Sequence, residues 1–178
     1  HNMGLKVIMD LVVNHTSDEH PWFLESRSSK DNPKRDWYIW RDGKNGREPN
    51  NWESIFGGSA WALDEPTGQY YLHLFSRKMP DLNWQNAKAR EAIFEMIQWW
   101  VRKGIDGFRV DAISHIQKPD LTDMPNPEGK RYVSSFDKHM NQPGILDLLQ
   151  KMKTEAFSCG DLFTVAEANG VESRQACE

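Results

Sequence analysis

The stretch Leu5-Lys-Val-Ile-Met-Asp-Leu-Val-Val13 is a nearly continuous apolar run that ends in the polar residues Asn14-His15-Thr16. Such a run is typical of a strand that is buried on both faces of a parallel sheet. Two shorter runs have the same character, Asp106–Asp111 and Leu162–Ala166, and the second is followed by Glu167. The three runs therefore predict three parallel strands.

Two helices are predicted among these strands. The clearer one is Asn86–Lys103, whose apolar residues recur on one helical face, with Asn86 as its N-cap and Gly104 as its stop. The other is Ile145–Phe157, before the third strand. Alternating strands and helices favour an α/β fold with right-handed crossovers. A nucleotide-binding sheet is disfavoured, because no Gly-rich phosphate loop follows the first strand.

The segment 16–78 has a different composition, rich in Trp, Asn, Gly, Pro and charge, without strong periodicity. Within it we predict only a short helix at Pro21–Ser29 and a short strand at Tyr70–Phe75. A run of about 60 residues is too long for a simple loop, which favours a small inserted domain. The predicted organisation is a strand unit at 1–15, the insertion at 16–78 and the remainder at 79–178.

The composition excludes some classes of protein. The 178 residues are 38% hydrophobic and 27% charged, as in a soluble globular domain. A net charge of −4 without a basic stripe gives no support for a nucleic-acid or anionic-membrane partner, and no apolar stretch is long enough to span a bilayer. Cys159 and Cys177 are predicted to be unpaired thiols, which favours a cytoplasmic location.

Polar residues at the ends of the three strands are predicted to lie together. Asn14 and His15 follow the first strand, Asp111 ends the second and Glu167 follows the third. In a (β/α)8 barrel these strand ends form the catalytic face. Two carboxylates there suit acetal hydrolysis, in which one protonates the leaving group and the other meets the oxocarbenium carbon. Burial beside a second negative charge is expected to keep one of them protonated.

Arg109 precedes Asp111 by two positions, so both side chains point to the same face of a strand. A fixed cation there would hold Asp111 ionised and aimed. A purely structural ion pair is the alternative, and spacing does not separate the two. His15 alone is compatible with a histidine at a loop start, and Glu167 alone with a solvated loop residue. The hypothesis of a site rests on their coincidence at one face.

Four motifs resemble signatures of the α-amylase superfamily, glycoside hydrolase family 13, and they occur in that family's order. The motifs are Asp10-Leu-Val-Val-Asn14-His15, Met79-Pro-Asp81-Leu-Asn83-Trp, Gly107-Phe-Arg109-Val-Asp111-Ala-Ile-Ser and Val165-Ala-Glu167. The Trp-rich stretch Asn32–Trp40 looks most like the oligo-1,6-glucosidase and α-glucosidase branch. The resemblance covers essentially the whole chain.

The resemblance implies part of a (β/α)8 TIM barrel with a small α+β domain inserted after strand three. Leu5–Val13 would then be strand three, Gly107–Asp111 strand four and Leu162–Glu167 strand five. The family's third catalytic carboxylate lies on a later strand, beyond these motifs. We therefore expect an internal fragment that is inactive on its own, because a barrel does not close from three strands and exposed edges aggregate.

The resemblance also implies a role for each matched residue. Asp111 takes the position of the nucleophile and Glu167 that of the acid/base. His15 and Arg109 fall on positions that hold the sugar in the cleavage subsite. Two further residues fall on supporting, mainly structural positions: Asp10 and Asn14. The implied mechanism is retaining, which requires the two catalytic carboxyl groups to lie about 5–5.5 Å apart.

The implied substrates are short malto- or isomalto-oligosaccharides with terminal α-glucosidic bonds. In this branch the residue after the nucleophile tends to be Val in α-1,6-cleaving enzymes and smaller or polar in α-1,4-cleaving ones, so Ala112 favours α-1,4. A transglycosylase of the family, such as a trehalose synthase or a glucosyltransferase, would use the same residues. A non-catalytic, glucosidase-like transporter ectodomain would tend to lose the carboxylates. The sequence predicts no oligomeric state.

The resemblance requires no cofactor. α-Amylases proper often have a calcium-linked His at the position of His115, so a calcium site shared with Asn14 is one alternative. We favour an ordinary His in a strand-to-helix loop, because neither residue alone supplies the roughly 6–8 oxygen ligands that calcium prefers.

Overall fold

The structure is a computed structural model that describes residues 1–172 and 174. The strands are, in chain order, β1 (Ile8–Val12), β2 (Trp40–Asp42), β3 (Trp52–Glu53), β4 (Trp61–Asp64), β5 (Gln69–Leu72), β6 (Gly107–Asp111), β7 (Val133–Ser134) and β8 (Phe163–Ala166). The helices are α1 (Pro21–Ser28), α2 (Ala87–Arg102), α3 (Phe136–His139) and α4 (Ile145–Lys151). Within this described part, no helix has both the length and the apolar character needed to cross a membrane.

A parallel sheet in the order β1–β6–β8 is the centre of the fold. In its register Val12 lies beside Asp111, and Val110 beside Ala166. The three predicted parallel strands are therefore confirmed; β6 and β8 are each one residue shorter than predicted, and β1 covers five of the nine residues of its apolar run. Since all three strands run in the same direction, their carboxyl-terminal ends meet at one edge of the sheet.

The burial of the outer strands differs from the prediction of strands that are buried on both faces. Only Leu11 of β1 is buried, and all four residues of β8 are exposed, with Phe163 at 63%. In β6, by contrast, Phe108 and Val110 are buried in the core. The reason is that, among the described residues, β1 and β8 each have a neighbouring strand on one side only.

Helix α2 matches its prediction closely. Its N-cap is Asn86, whose side-chain oxygen accepts a hydrogen bond from the backbone nitrogen of Ala89 at 3.1 Å. Gly104 follows the last turn with a φ of +97°, a left-handed conformation that glycine adopts without steric cost. The second predicted helix is divided: α4 continues into a π-helical turn at Met152–Ala156 and then a 3₁₀ turn at Phe157–Cys159.

Part of the segment between β1 and α2 belongs to the main core, including Tyr38, Trp40 and Tyr71, but the segment also has a sheet and a small core of its own. Its antiparallel sheet has the order β2–β5–β4. The core consists of Ile39, Trp52, Ala60, Trp61, Leu72 and Leu74. Helix α1 and strand β5 correspond to the two predicted elements, whereas β2, β3 and β4 were not predicted. Strand β3 pairs with β7, so this segment is also joined to the chain that follows β6.

A buried ionic cluster joins three distant parts of the chain, and it consists of Asn14, Asp81 and Lys118. The Lys118 ammonium, whose side chain is 1% exposed, lies 3.0 Å from Asp81 Oδ2 and donates to Asn14 Oδ1 at 2.8 Å. Asn14 Nδ2 donates to Asp81 Oδ2 at 3.2 Å, and the backbone nitrogen of Leu74 donates to Asp81 Oδ1 at 2.9 Å. The cluster thereby fixes the end of β1 against two segments: the one before α2, which contains Asp81, and the one after β6, which contains Lys118.

Replacing Gly107 by Ala is expected to disrupt the parallel sheet. A Cβ at this position would overlap the carbonyl oxygen of Phe163 and lie 2.8 Å from its carbonyl carbon, with Ile8 Cγ2 at 3.1 Å on the other side. We expect Gly107→Ala to lower the free energy of unfolding by at least about 3 kcal/mol. Gly129→Ala is the control, because a Cβ there meets open space and only the positive φ opposes it. Equal effects in denaturant titrations would contradict the prediction.

Removing the Lys118 ammonium is expected to be more damaging than removing an exposed one. Lys118→Met leaves the Asp81 carboxylate buried without a counter-ion, so we expect a loss of about 3–5 kcal/mol in the free energy of unfolding. Adding Asp81→Asn should recover part of that loss. Lys130→Met is the matched control, because its pair with Glu128 is exposed on both sides and should leave the unfolding midpoint nearly unchanged.

Candidate active site

One guanidinium holds three carboxylates at the carboxyl-terminal edge of the parallel sheet. Arg109 Nη1 donates to Asp111 Oδ1 and, at 2.8 Å, to Asp10 Oδ1, while Nη2 donates to Glu167 Oε2 at 2.8 Å. Asp10 lies on β1, Asp111 ends β6, and Glu167 directly follows β8. The structure therefore brings together four of the six residues that the sequence singles out.

The backbone around Ala112 positions Glu167. The pairing of β6 with β8 continues one residue further, because the backbone nitrogen of Glu167 donates to the carbonyl oxygen of Val110 at 2.8 Å. Ala112 then turns the chain with a φ of +45°, a left-handed conformation that is uncommon for a residue with a Cβ. Its amide lies 3.3 Å from Glu167 Oε2, to which it donates.

The two carboxyl groups have opposite pKa shifts. Burial raises the pKa of Asp111, as does the nearby Glu167 carboxyl, while Arg109 opposes both. The Ala112 amide lowers the pKa of Glu167, together with contacts to Asp111 and Arg109. The roles implied by the resemblance need the opposite shifts, with a raised pKa at the acid/base Glu167 and a lowered pKa at the nucleophile Asp111.

His15 is buried at the same edge and is held in one tautomer. Asn14 Nδ2 lies 3.3 Å from His15 Nδ1, and because an amide nitrogen only donates, Nδ1 accepts and the proton resides on Nε2. Lys118 fixes this orientation, since it donates to the oxygen of the same amide. Burial lowers the pKa of His15, which keeps the ring neutral. His15 therefore offers an N–H donor, and Asn14 supports it.

Aromatic rings extend from His15, and sequence reasoning did not identify them. The ring centroid of Phe75 lies 5.3 Å from that of His15, and Phe56 follows at 5.7 Å from Phe75. Phe56 is 69% exposed, which is unusual for a large apolar side chain. The only available signal was the overall abundance of aromatic residues, which does not indicate position. Flat apolar surfaces of this kind suit the apolar face of a sugar ring.

The calcium site considered from the sequence does not fit the structure. The Nδ1 atoms of His115 and His139 lie 3.0 Å apart in a buried pair, and burial lowers their pKa values to about 4 and about 3. The Asn14 oxygen that a calcium ion would need accepts a hydrogen bond from Lys118 instead. In residues 1–172 and 174, no group of three or more His, Cys, Asp or Glu side chains is arranged to hold a metal ion.

The first of the two cysteines is a free thiol. Cys159 is exposed, and its Sγ donates to the carbonyl oxygen of Ala156 at 3.2 Å. Cys177, which we also predict to be unpaired, lies outside the described residues.

The chain is similar in sequence and in structure to enzymes that act on carbohydrates. The probable oligo-1,6-glucosidase 3 of Bacillus subtilis (strain 168) is 63% identical over 179 residues, which cover 100% of this chain and 32% of that protein. The trehalose-6-phosphate hydrolase of Bacillus licheniformis superposes with a TM-score of 0.88 at 47% identity, over 97% of this chain and 30% of its own. The isomaltulose synthase of Erwinia rhapontici NX5 superposes with a TM-score of 0.88 at 42% identity, over 96% of this chain and 30% of the synthase chain.

The chain thus spans about a third of the length of the relatives that it matches. The family model described as the alpha amylase catalytic domain matches residues 1–178, which is the whole chain. This match agrees with the parallel strands and with the carboxylates at their ends. The chain therefore belongs to the alpha-amylase family and forms part of its (β/α)8 barrel.

Proposed function

We propose that the complete protein carrying this chain is a retaining glycoside hydrolase that releases terminal α-linked glucose from short oligosaccharides. The observation that carries the proposal is the single guanidinium of Arg109 bonded to both Asp111 and Glu167. An arrangement of two carboxyl groups that share one cation suits a reaction in which one acts as nucleophile and the other as acid/base. The family relationship supports the same reaction class.

The proposed reaction has two steps. Asp111 attacks the anomeric carbon while Glu167 gives its proton to the glycosidic oxygen, so the C–O bond to the leaving sugar breaks and a glycosyl ester forms on Asp111. Glu167 then takes a proton from water, which attacks the same carbon and releases Asp111. The His15 Nε2–H is placed to donate to a sugar hydroxyl, and Arg109 keeps Asp111 aimed.

Substrate binding is proposed to reverse the directions of the two pKa shifts of Asp111 and Glu167. Glu167 is held as a carboxylate by the Ala112 amide and by Arg109. A sugar oxygen entering beside Glu167 would displace these donors and exclude water, and both changes raise the pKa of a carboxyl. Asp111 keeps its contact with Arg109 and ionises. The complex would then have the protonated acid and the ionised nucleophile that the reaction needs.

The position of the chain in the barrel is also a proposal. We infer that β1, β6 and β8 are strands three, four and five, and that segment 16–78 is the domain inserted after strand three. Its own antiparallel sheet supports this inference. A location in the cytoplasm, inferred from unpaired cysteines, stays a prediction.

Hydrolysis of α-1,4 bonds is the favoured specificity, since Ala112 is smaller than the Val that α-1,6-cleaving enzymes of the branch tend to have. The name of the Bacillus subtilis relative, an oligo-1,6-glucosidase, favours α-1,6 bonds as the second candidate. Ala and Val differ by two side-chain carbons, and each methylene in a pocket changes preference by only about 1–3 kcal/mol. Maltose and isomaltose therefore need to be compared directly.

Transglycosylation is the third candidate, favoured by the similarity to an isomaltulose synthase. It would use the same two carboxyl groups, with a sugar hydroxyl in place of water in the second step. A non-catalytic ectodomain is disfavoured, because Arg109, Asp111 and Glu167 are all present and in contact.

Hydrolysis of maltose and isomaltose by the complete protein and its Asp111→Asn variant tests the proposal. We expect cleavage of maltose in preference, and a loss of at least about 10³-fold in kcat for the variant, because an amide is not a nucleophile at the anomeric carbon. Proton NMR of the first product should show the α-anomer. Asp123→Asn, at an exposed carboxylate paired with Lys44, is the matched control.

The outcomes of this test separate the candidates. The β-anomer as first product would contradict a retaining mechanism. Preference for isomaltose would refute the specificity inferred from Ala112 but keep the mechanism. Disaccharide products from sucrose or maltose, without net hydrolysis, would favour the transglycosylase.

The pH dependence of kcat/KM should shift when Arg109 loses its charge. Arg109 lowers the pKa of both carboxyl groups, so its removal raises both pKa values. The acid limb, which reports ionisation of the nucleophile, should therefore move to higher pH in Arg109→Leu, and less in Arg109→Lys. Arg131→Leu, which removes an exposed partner of Glu48, should leave the profile in place. An unshifted acid limb in Arg109→Leu would refute this role for the guanidinium.

A further inference from the structure

An Asn-Gly dipeptide lies beside the proposed acid/base. The chain has two such dipeptides, Asn45-Gly46 and Asn169-Gly170. Asn169 and Gly170 are exposed, and Asn169 Nδ2 lies 3.5 Å from Glu167 Oε1. The Asn169 amide contributes to the low pKa of Glu167 by donating this hydrogen bond.

The dipeptide forms the tip of a tight turn. The backbone nitrogen of Val171 donates to the carbonyl oxygen of Ala168 at 3.3 Å, and Gly170 has a φ of +71°. That conformation favours glycine at the third position of the turn. Asn141 holds the turn from outside, since its Nδ2 donates to the carbonyl oxygens of Asn169 at 3.3 Å and Gly170 at 3.0 Å.

We propose that Asn169 is a site of spontaneous deamidation and that this modification impairs the acid/base Glu167. The backbone nitrogen of Gly170 attacks Cγ of Asn169 and loses its proton, the bond from Cγ to the amide nitrogen breaks, and ammonia leaves with that proton. Water then opens the resulting five-membered succinimide at either carbonyl, which gives aspartate or isoaspartate. Because Gly170 has no side chain, its nitrogen is sterically open to this attack.

Both products would change the surroundings of Glu167. A carboxylate takes the place of the amide donor that lies 3.5 Å from Glu167 Oε1, so a stabilising hydrogen bond is lost and a like charge is added. Both effects raise the pKa of Glu167 beyond the rise that substrate binding itself causes, which makes Glu167 a weaker acid, and the lost hydrogen bond no longer orients its carboxyl group. Isoaspartate also inserts a methylene group into the backbone of the turn, which displaces the carbonyl groups that Asn141 holds. This effect on activity rests on the proposed function of Glu167.

The second dipeptide is an internal control. Asn45-Gly46 lies at an exposed hairpin turn. The backbone nitrogen of Lys44 donates to the carbonyl oxygen of Arg47 at 3.0 Å, and the backbone nitrogen of Arg47 donates to the carbonyl oxygen of Lys44 at 3.1 Å. Its chemistry is the same, but it belongs to the loop between β2 and β3. Deamidation of Asn45 should therefore occur without any change in activity.

The test is to incubate the complete protein at mildly alkaline pH and sample it over time. Peptide mass spectrometry measures the fraction of Asn169 and of Asn45 in which an amide NH2 has been replaced by a hydroxyl, and α-glucosidase activity is measured on the same samples. We expect activity to fall in proportion to the fraction modified at Asn169. Asn169→Gln, which closes the ring far more slowly, should keep its own starting activity, whereas Asn45→Gln should decline like the unmutated protein.

A direct mimic tests the electrostatic part. Asn169→Asp should have a lower kcat/KM and an alkaline limb at higher pH, because the added carboxylate raises the pKa of Glu167. An alkaline limb that does not move would refute this part, whereas a general packing defect would lower kcat without moving the limb.

Three results would overturn the proposal: an unmodified Asn169 when Asn45 has converted, a modified Asn169 with full activity, or an Asn169→Gln variant that declines like the unmutated protein. If the complete protein hydrolyses no α-glucoside, the proposed function fails, while the peptide masses still decide whether Asn169 is modified.

Discussion

The ammonium of Lys118 is buried in the protein beside the carboxylate of Asp81, and this pair constrains the structure around it. A desolvated charge is tolerated only when an opposite charge and hydrogen bonds surround it, so the positions of the two side chains are tightly restricted. Asp81 comes from the segment before α2, and Lys118 comes from the segment after β6. Their pairing therefore fixes how these two segments lie against β1. The third member, Asn14, transmits the constraint: its oxygen faces Lys118, its nitrogen faces His15, and the tautomer of His15 follows.

The cluster around Arg109 is built on a different principle. The Arg109 side chain is 39% exposed, and its guanidinium is shared among three carboxylates instead of being committed to one. Partly exposed ion pairs exchange partners at low free-energy cost, because water and neighbouring charges compensate each lost contact. A rigid buried cluster thus supports an adaptable one at the same edge of the sheet. The combination of a rigid cluster and an adaptable cluster suits a site in which protons and contacts must change during each turnover.

The elements that could be predicted are those with a strong local signal. The apolar runs predict β1, β6 and β8, and the periodicity from Ala89 to Val101 predicts α2, because burial of one face imposes a period on the sequence. A strand as short as β3, which has two residues, carries no such period. The residues at the strand ends were singled out from the strand pattern and from motifs. Strand geometry predicted that Arg109 faces Asp111, whereas its contacts with Asp10 and Glu167 were not predicted.

Other features of the site depend on tertiary contacts that leave no trace in the local pattern. Lys118 lies in a polar, Pro-containing stretch where a lysine is ordinarily solvated, and only its pairing with Asp81 makes it buried. Phe75 and the His115–His139 pair are likewise defined by neighbours far away in the chain. The exposure of β8 was not predicted. An apolar run indicates that a strand is suited to burial, but it does not show whether neighbouring elements are present to bury it.

The long insertion between β1 and α2 has a consequence for synthesis. Asp10 on β1 and Arg109 on β6, which are in contact in the folded protein, are 99 residues apart in the chain. At about 5–20 residues per second, a ribosome takes about 5–20 s to add the residues between them. The hairpin of β4 and β5 pairs residues that are close in the chain, and a hairpin of this kind forms within microseconds of emerging. Strand β1, in contrast, waits during this interval without its partner β6, so the edge that pairs with β6 stays open. The nascent chain therefore spends this interval in a form that chaperones are suited to bind, and the length of the insertion sets its duration.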